Sequence, residues 1–290
     1  MPTFIARDIK ALLSYLNRAE VKDKKIGLVP TMGALHKGHM SLVEKAKELS
    51  ELIIVTIFVN PMQFNSLKDL KPYPSTESQD IKKLKKKKVD LIFIPNKNEL
   101  YSKEFSSYIT LRKYDDILCS KKRKNHFSGV ANIVIKMFNL CKPTYAFFGE
   151  KDYQQLVIIR KLVEDFNFNI KILSIKTVRD KSGLALSSRN RLLSKKEYQI
   201  ASEVNNIILE VLKFNKKRLS NCLSVIRKKL IDVGVSNIEY LEIRSEKNLR
   251  LIRDEKQKIE DDEYRIFIAF YLGSVRLIDN MQIHSNQHKL

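Results

Sequence analysis

IGLVPTMGALHKGHMSLVEKAK, running from Ile26 to Lys47, is the stretch that decides the fold. Ile26, Leu28 and Val29 form a short apolar run that reads as a buried strand. Pro30 has no N–H to give to a sheet ladder and is expected to end that strand. Thr31, Met32 and Gly33 follow as a turn, and from His36 onward Met40, Leu42, Val43 and Ala46 recur at helical spacing. Strand, glycine-containing turn and helix, in that order, aim backbone N–H groups and the positive end of a helix at whatever lies beyond the strand. That arrangement favours an anion. His36 and His39 flank Gly38 on the first helical turn and so share a face. Two readings fit them: rings that hydrogen-bond a phosphate and offset its charge, or two surface histidines near a helix start. A metal pair is disfavoured, because no cysteine or carboxylate lies close by in sequence.

On either side of this stretch the pattern alternates. Residues 3–20 place Ile9, Leu12, Leu13 and Leu16 at helical spacing and read as an amphipathic helix. Residues 52–59, LIIVTIFV, are apolar and β-branched almost throughout, as a central parallel strand requires. Residues 89–94, 145–148 and 170–178 read as further strands, with helices over 81–88, 130–140 and 153–166. The expected fold is therefore α/β, a doubly wound parallel sheet with its ligands beyond the carboxyl ends of the strands. Past Arg179 the order changes. Asp180, Lys181, Ser182 and Gly183 make a turn-rich hinge, and Ser194 with Glu197 forms a capping box. Helices follow over 195–213 and 217–233, then strands over 238–243, 265–272 and 275–278, the last two joined at Gly273-Ser274 as a hairpin. These patterns predict a Rossmann-like domain over 1–178 and a smaller C-terminal domain of helices and antiparallel sheet over 179–290.

The chain has 290 residues, 43% of them hydrophobic, enough for one large or two ordinary domains. No apolar run approaches the roughly 20 residues of a membrane span. The opening MPTFIARDIK lacks the apolar core of a signal peptide. Cys119, Cys141 and Cys222 form neither a CxxC pair nor a disulfide framework, so a cytoplasmic protein is expected. A formal charge of +21 raises the question of nucleic acid. The lysines are dispersed outside 82–88 and 121–124 and few aromatics are interleaved, so biased composition is favoured over a nucleic-acid partner. No membrane partner is expected either. A positive field would still draw in a polyphosphate.

Four further stretches carry polar groups suited to a site. In FVNPMQF, Asn60 and Gln63 are amides just past an apolar strand, where a substrate's hydroxyl or carboxylate could be bound; Asn-Pro is otherwise an ordinary turn. Arg123 heads RKNHFSGV as a fork of donors for an anion, or as part of a solvated basic run. In FFGEKDYQQL, Gly149 admits a close approach, Lys151 suits a phosphate, Asp152 suits ribose hydroxyls and Gln155 lies one helical turn on. A loop ion pair beside a polar helix face is the plain alternative. Finally, Thr177-Val178-Arg179 and LSSRN at 186–190 bring hydroxyls and guanidinium groups that could wrap a polyphosphate, or simply cap a helix.

His36-Lys37-Gly38-His39 resembles the HxGH signature of a nucleotidyltransferase superfamily. The longer PTMGALHKGH resembles the pantothenate synthetase (pantoate–β-alanine ligase) family within it. FVNPMQF, FGEKDYQQL, the Ser-Ser-Arg-Asn element and RLIDN at 276–280 resemble that family's corresponding strings, so the likeness spans Ile26 to Asn280. There are departures. Lys124 and Asn125 replace Pro and Gly in RPGHFxGV, Ser75 stands after Tyr73-Pro74 where an arginine is usual, and Gln79 and Asp80 stand where many relatives pair two acidic residues. The resemblance implies ATP-dependent joining of (R)-pantoate to β-alanine through a pantoyl adenylate, releasing AMP and pyrophosphate, in pantothenate and coenzyme A biosynthesis. It implies ATP contacts at Met32, Gly33, Ala34, Leu35, His36, Lys37, Gly38, His39, Gly149, Glu150, Lys151, Asp152, Val178, Leu186, Ser187, Ser188 and Arg189. His36, His39 and Lys151 would carry the chemistry, with His39 as proton donor. Gln63, Gln155 and Asn60 would bind pantoate, and Gln63 would also border β-alanine. Asp80 would contact Mg²⁺ through water, unless it is an ordinary acidic residue at a helix start. Residues 186–190 take the place of the superfamily's KMSKS loop and would close over the nucleotide. A homodimer is also implied.

Overall fold

A computed structural model describes residues 2–64, 76–214, 219–253 and 263–283. Tyr73, Pro74 and Ser75 lie outside the described residues. By its internal contacts the chain forms two compact units, Met1–Glu150 with Ile158–Lys176, and Lys151–Val157 with Thr177–Leu290.

The first unit is built on strands β1 (Phe4–Ala6), β2 (Ile26–Thr31), β3 (Leu52–Ile57), β4 (Leu91–Phe93), β5 (Tyr145–Gly149) and β6 (Lys171–Ile175). They form one sheet in the order β1-β4-β3-β2-β5-β6, every pair parallel. Helices α1 (Ile9–Leu16), α2 (Lys37–Leu49), α3 (Glu77–Lys86), α4 (Lys97–Leu100), α5 (His126–Cys141) and α6 (Tyr153–Asp165) connect them; the first residues of α6, to Val157, group with the second unit. All six residues of β3 are buried, which explains its unbroken apolar sequence. Ile53, Val55 and Ile57 pack with Leu42, Val43 and Ala46 of α2 and Leu84 of α3. From β2 the chain steps through β3 to β4, then returns past β2 to β5 and β6, so β2 and β5 are neighbours at the reversal. In such sheets the crevice beyond the strand ends at this point is where ligands bind.

Two expectations fail here. Residues 3–20 are not one helix: Phe4, Ile5 and Ala6 pair with Leu91, Ile92 and Phe93 as an edge strand. Asp8 then caps α1 by accepting from Ala11 N at 2.7 Å. Three residues are too few to show a strand period, and the helical spacing nearby masks them. Pro30 does not end β2, which continues to Thr31 with Pro30 opposite Thr56. Pairing with β5 stops at Leu28, so Pro30 sits where β2 has only one neighbour.

The second unit packs α7 (Lys195–Phe214) and α8 (Leu219–Asp232) on an antiparallel sheet of β7 (Asn237–Ser245), β8 (Tyr264–Leu272) and β9 (Val275–Ile283). Its core joins Ala201, Ile208, Cys222 and Ile226 to Ile243, Ile266 and Ile268. Ser194 N donates to Glu197 Oε2 at 2.8 Å and Glu197 N to Ser194 Oγ at 3.3 Å, the expected capping box. Gly273, at φ +53°, turns the β8–β9 hairpin. β9 runs on to Ile283 rather than stopping near 278. Asp279 and Asn280 are buried within it, opposite Ile268 and Phe267, and their polarity hides the strand in the sequence. Among the described residues no helix is long and apolar enough to cross a membrane.

Candidate active site

β2 delivers its last residue, Thr31, into a tight turn. Thr31 Oγ1 donates to Thr56 O at 2.7 Å and accepts from Gly33 N at 3.2 Å. Gly33 and Ala34 then adopt left-handed backbone, φ +84° and +51°. For alanine this costs about 1–2 kcal/mol, so something must hold it. The holder is Asp80 of α3, fully buried. Its Oδ2 accepts from Ala34 N at 2.7 Å and from Thr76 Oγ1 at 2.8 Å, and its Oδ1 accepts from Leu35 N at 2.9 Å. Lys83 Nζ lies 3.6 Å from Oδ1 and donates to Leu35 O at 2.7 Å. The Mg²⁺ role expected for Asp80 does not fit this placement, since the carboxylate is spent on the turn and an ammonium faces it. Gln79 beside it is exposed and adds no carboxylate. Among the described residues no group of three His, Cys, Asp or Glu is placed to hold a metal.

The turn ends at His36, the N-cap of α2. His36 Nδ1 accepts from Gly38 N at 3.2 Å, and His39 Nδ1 accepts from His36 N at 3.3 Å, a capping box built of two imidazoles. The rings lie 4.1 Å apart, centroid to centroid. A ring that accepts at Nδ1 carries the proton of its neutral form on Nε2. Both histidines so held are donors through Nε2–H, at the positive end of a 13-residue helix. Neighbouring β5 ends at Gly149, where an added Cβ would meet nothing within 4 Å, so open space lies over its backbone.

β3 leads into Asn60 and a short 3-10 turn, Pro61–Gln63. Asn60 is 1% exposed and saturated: Nδ2 donates to Gln63 Oε1 and Gly129 O, while Oδ1 accepts from Tyr101 OH and Met62 N. Burial pushes the Tyr101 hydroxyl well above its usual range, so it stays a donor. Gln63 Nε2 faces the Met32 sulfur, which links the ends of β2 and β3. His126, for which the sequence offers no role, contacts Gln63 O through Nδ1 at 2.7 Å. Arg123 lies 3.0 Å from His126 Nε2 and reaches Gln63 O at 3.5 Å, so it braces this corner instead of standing in a loose basic run. Gly129 of α5 lies so close that a Cβ would come within 2.3 Å of Met62 O. Asn125, in the place of the family's Gly, is left-handed at φ +60°. Asn tolerates that region better than any residue but Gly, which is why the loop survives the replacement.

The second unit holds the remaining candidates. Lys151 Nζ lies 3.4 Å from Asp152 Oδ1, and Lys151 O accepts from Asn280 Nδ2 at 2.8 Å. Asn280 Oδ1 accepts from Arg265 Nη1 at 2.6 Å, and Arg265 Nε donates to Glu246 at 2.9 Å. The Arg265 guanidinium also stacks 3.9 Å from the Tyr153 ring. Burial pushes Glu246 above the usual carboxylate range, opposed by Arg265 and the Tyr153 hydroxyl. Asn280 of the RLIDN string is thus a buried brace on the Lys151 backbone, a role the sequence alone does not disclose. Gln155 lies half-buried in the first turn of α6. Val178 O accepts from Leu186 N at 3.0 Å, and Arg179 pairs with Ala185, so the expected hinge is a closed hairpin turn. Arg179 adds a two-point pair with Asp279 at 2.6 and 2.9 Å. Ser187 caps a 3-10 turn over Ser188–Leu192, and Arg189 Nη1 donates to Arg276 O at 3.3 Å.

Comparison with known proteins bears on what these placements serve. Residues 4–282 match the family described as pantoate-beta-alanine ligase. The pantothenate synthetase of Buchnera aphidicola subsp. Acyrthosiphon pisum is 42% identical over 288 residues, which cover 97% of this chain and 99% of the relative. A crystal structure of pantothenate synthetase from Thermus thermophilus superposes with a TM-score of 0.89 at 31% identity, covering 98% of this chain and all of the other. The pantoate-beta-alanine ligase of Francisella tularensis, complexed with beta-gamma ATP and beta-alanine, gives 0.81 at 38% identity over 98% of each chain. A turn at the sheet's reversal, an imidazole-capped helix and a match over nearly the full length of chain and relatives lead to one assignment: the chain belongs to the pantoate–β-alanine ligase family.

Proposed function

We propose that the protein condenses pantoate with β-alanine at the expense of ATP. The observation that carries the chemistry is the pair of imidazoles at the start of α2, each fixed by a backbone bond to Nδ1. An oxygen of the pantoate carboxylate attacks the α-phosphorus of ATP. The bond between the α-phosphorus and its bridging oxygen breaks, and pyrophosphate leaves. The β-alanine nitrogen then attacks the acyl carbon, loses a proton, and AMP departs with the carboxylate oxygen. His36 and His39 give Nε2–H bonds to phosphate oxygens as charge gathers there, and Lys151 adds a mobile cation. Preset donors help because they need not reorganise as the charge develops.

Within the first unit, Gln63 is the residue for pantoate; Asn60, expected to bind it too, is buried with its amide saturated and instead sets the pose of Gln63 together with His126 and Met32. Gln155, which belongs to the second unit, is the other pantoate residue. Gly149, Glu150, Asp152, Val178 and the 186–189 segment serve the nucleotide. Mg²⁺ accompanies the polyphosphate without Asp80, since a divalent cation offsets phosphate charge with few protein ligands. A cytoplasmic homodimer agrees with the family resemblance, and sedimentation of the purified chain tests the dimer.

Purified protein given Mg²⁺, ATP, pantoate and β-alanine should form AMP and pantothenate one for one. Without β-alanine, one turnover should release pyrophosphate and leave a bound acyl adenylate. Absence of pantothenate in the full mixture would overturn the assignment.

A further inference from the structure

The turn ahead of His36 is gripped by α3 at both ends of a single residue. Leu35 N donates to Asp80 Oδ1 and Leu35 O accepts from Lys83 Nζ, at 2.9 and 2.7 Å. The two holders are three apart in sequence and so share a helix face. Asp80 also takes Ala34 N, and its Oδ2 comes within 3.2 Å of where a Cβ on Gly33 would stand. The carboxylate therefore fits the left-handed turn closely. The next residue is His36, so the start of α2 and the pose of both imidazoles depend on this grip.

The same geometry decides what Asp80 cannot do. A carboxylate offers about four acceptor directions. Ala34 N and Thr76 Oγ1 take two on Oδ2; Leu35 N takes one on Oδ1, and the Lys83 ammonium faces Oδ1 at 3.6 Å. The Asp80 side chain is 1% exposed. Mg²⁺ demands ligands at about 2.0–2.1 Å in octahedral array and keeps several waters. Three directions are taken by hydrogen bonds, and the ammonium faces Oδ1, where the fourth lies, and would repel Mg²⁺.

We propose that Asp80 and Lys83 are positioning residues for the His36–His39 turn, and that Lys83 supplies, in this chain, the cation this carboxylate carries in place of Mg²⁺. The proposal rests on the adenylation chemistry assigned to that turn, but part of its test does not. The full chain is compared with Asp80→Asn, Lys83→Met and Lys83→Arg. Amide hydrogen exchange should show Ala34 and Leu35 protected in the wild type and faster in Lys83→Met. In single turnovers Lys83→Met should slow adenylate formation about tenfold, with the pantoate KM and the Mg²⁺ concentration for half-maximal rate each within about twofold. Lys83→Arg, which keeps the donor, should recover most of the rate. Asp80→Asn keeps the shape but has one acceptor oxygen, and should show a larger loss of the same kind.

The proposal is overturned if Asp80→Asn raises the Mg²⁺ requirement about fivefold or more and saturating Mg²⁺ restores its rate. Wild-type rates in Lys83→Met, or rapid exchange of the Ala34 and Leu35 amides in the wild type, overturn it too. Should Asp80→Asn fail to fold, Lys83→Met carries the test, because the Lys83 side chain is 38% exposed. If the wild type makes no pantothenate, the functional assignment falls. Exchange, and Mn²⁺ binding followed by electron paramagnetic resonance, then still decide the clamp: equal Mn²⁺ binding by wild type and Asp80→Asn supports it, and loss of Mn²⁺ only in Asp80→Asn overturns it.

Discussion

The two units carry their candidate residues under different constraint. In the first, Asn60, Gln63, Asp80 and His126 are buried, and their side chains are tied to backbone or to one another. In the second, Lys151, Ser187, Ser188 and Arg189 are half-exposed, and the Lys151 ammonium meets its own neighbour Asp152 at 3.4 Å. The difference bears on two residues of the proposal, Gln63 for the acid and Lys151 for the polyphosphate, although the proposal also gives the phosphates His36 and His39 of the first unit and gives pantoate Gln155 of the second. A small hydroxy acid is told from its analogues by buried polar groups at fixed places, which are left unpaired by the wrong molecule. A polyphosphate offers charge that acts over several ångströms, and a flexible ammonium can follow it.

His39→Ala should have the largest effect. Loss of one preset donor to a developing charge costs about 10²- to 10³-fold in rate, read in single turnovers of pyrophosphate release. It also removes the acceptor for His36 N, so unfolding should be measured beside it. A rate near wild type would take His39 out of the chemistry and leave it a capping residue.

Gly129→Ala should come next, through the tight side of the comparison. Its Cβ would stand 2.3 Å from Met62 O and 2.8 Å from Gln63 N, backbone atoms that cannot swing away. Overpacking of this kind costs about 1–3 kcal/mol. The urea midpoint should fall and the pantoate KM should rise, with the KM for ATP little changed. Lys151→Ala probes the loose side: adenylate formation should slow about tenfold while the pantoate KM stays. If Gly129→Ala and Lys151→Ala shifted the same parameter, the contrast between the buried Gln63 corner and the half-exposed Lys151 would fail.

The sheet is legible because burial on both faces writes long apolar runs, as in residues 52–57 of β3. What stays hidden is short or polar. β1 has three residues and borrows its order from β4. The end of β9 is masked by Asp279 and Asn280, whose polar atoms are satisfied by Arg179, Arg265 and the Lys151 carbonyl from distant parts of the sequence. The candidate site divides likewise. His36, His39, Gln63 and Lys151 stand in recognisable strings. Asp80 stands in one too, yet its partners are backbone N–H groups 45 and 46 residues away, which no residue pattern records. His126 and Tyr101 act on the Gln63 carbonyl and on Asn60, contacts that depend on the start of α5 and the end of α4 meeting the 3-10 turn and its cap.

The smallest effect tests whether the closed turn of the second unit is held by charge or by shape. Asp180 Oδ1 accepts from Ser182 N, Ser182 Oγ and Leu184 N at 2.9, 2.6 and 3.1 Å, and Oδ2 accepts from Tyr198 OH. Burial alone would resist ionisation, but the donors from Ser182, Tyr198 and Leu184 outweigh it and hold the carboxyl below its ordinary range. A carboxylate so depressed stabilises the fold above the unfolded value of about 3.9, and the contribution fades as pH falls through the folded value below that. Asp180→Asn should therefore lower stability by about 1 kcal/mol at neutral pH, a drop of roughly 2–4 °C in Tm. The gap to wild type should narrow as the pH falls below the unfolded value toward the lower folded one. A gap of constant size across that range would mean that Asn fails by shape rather than charge, and the turn would then belong with the rigid corner around Gln63.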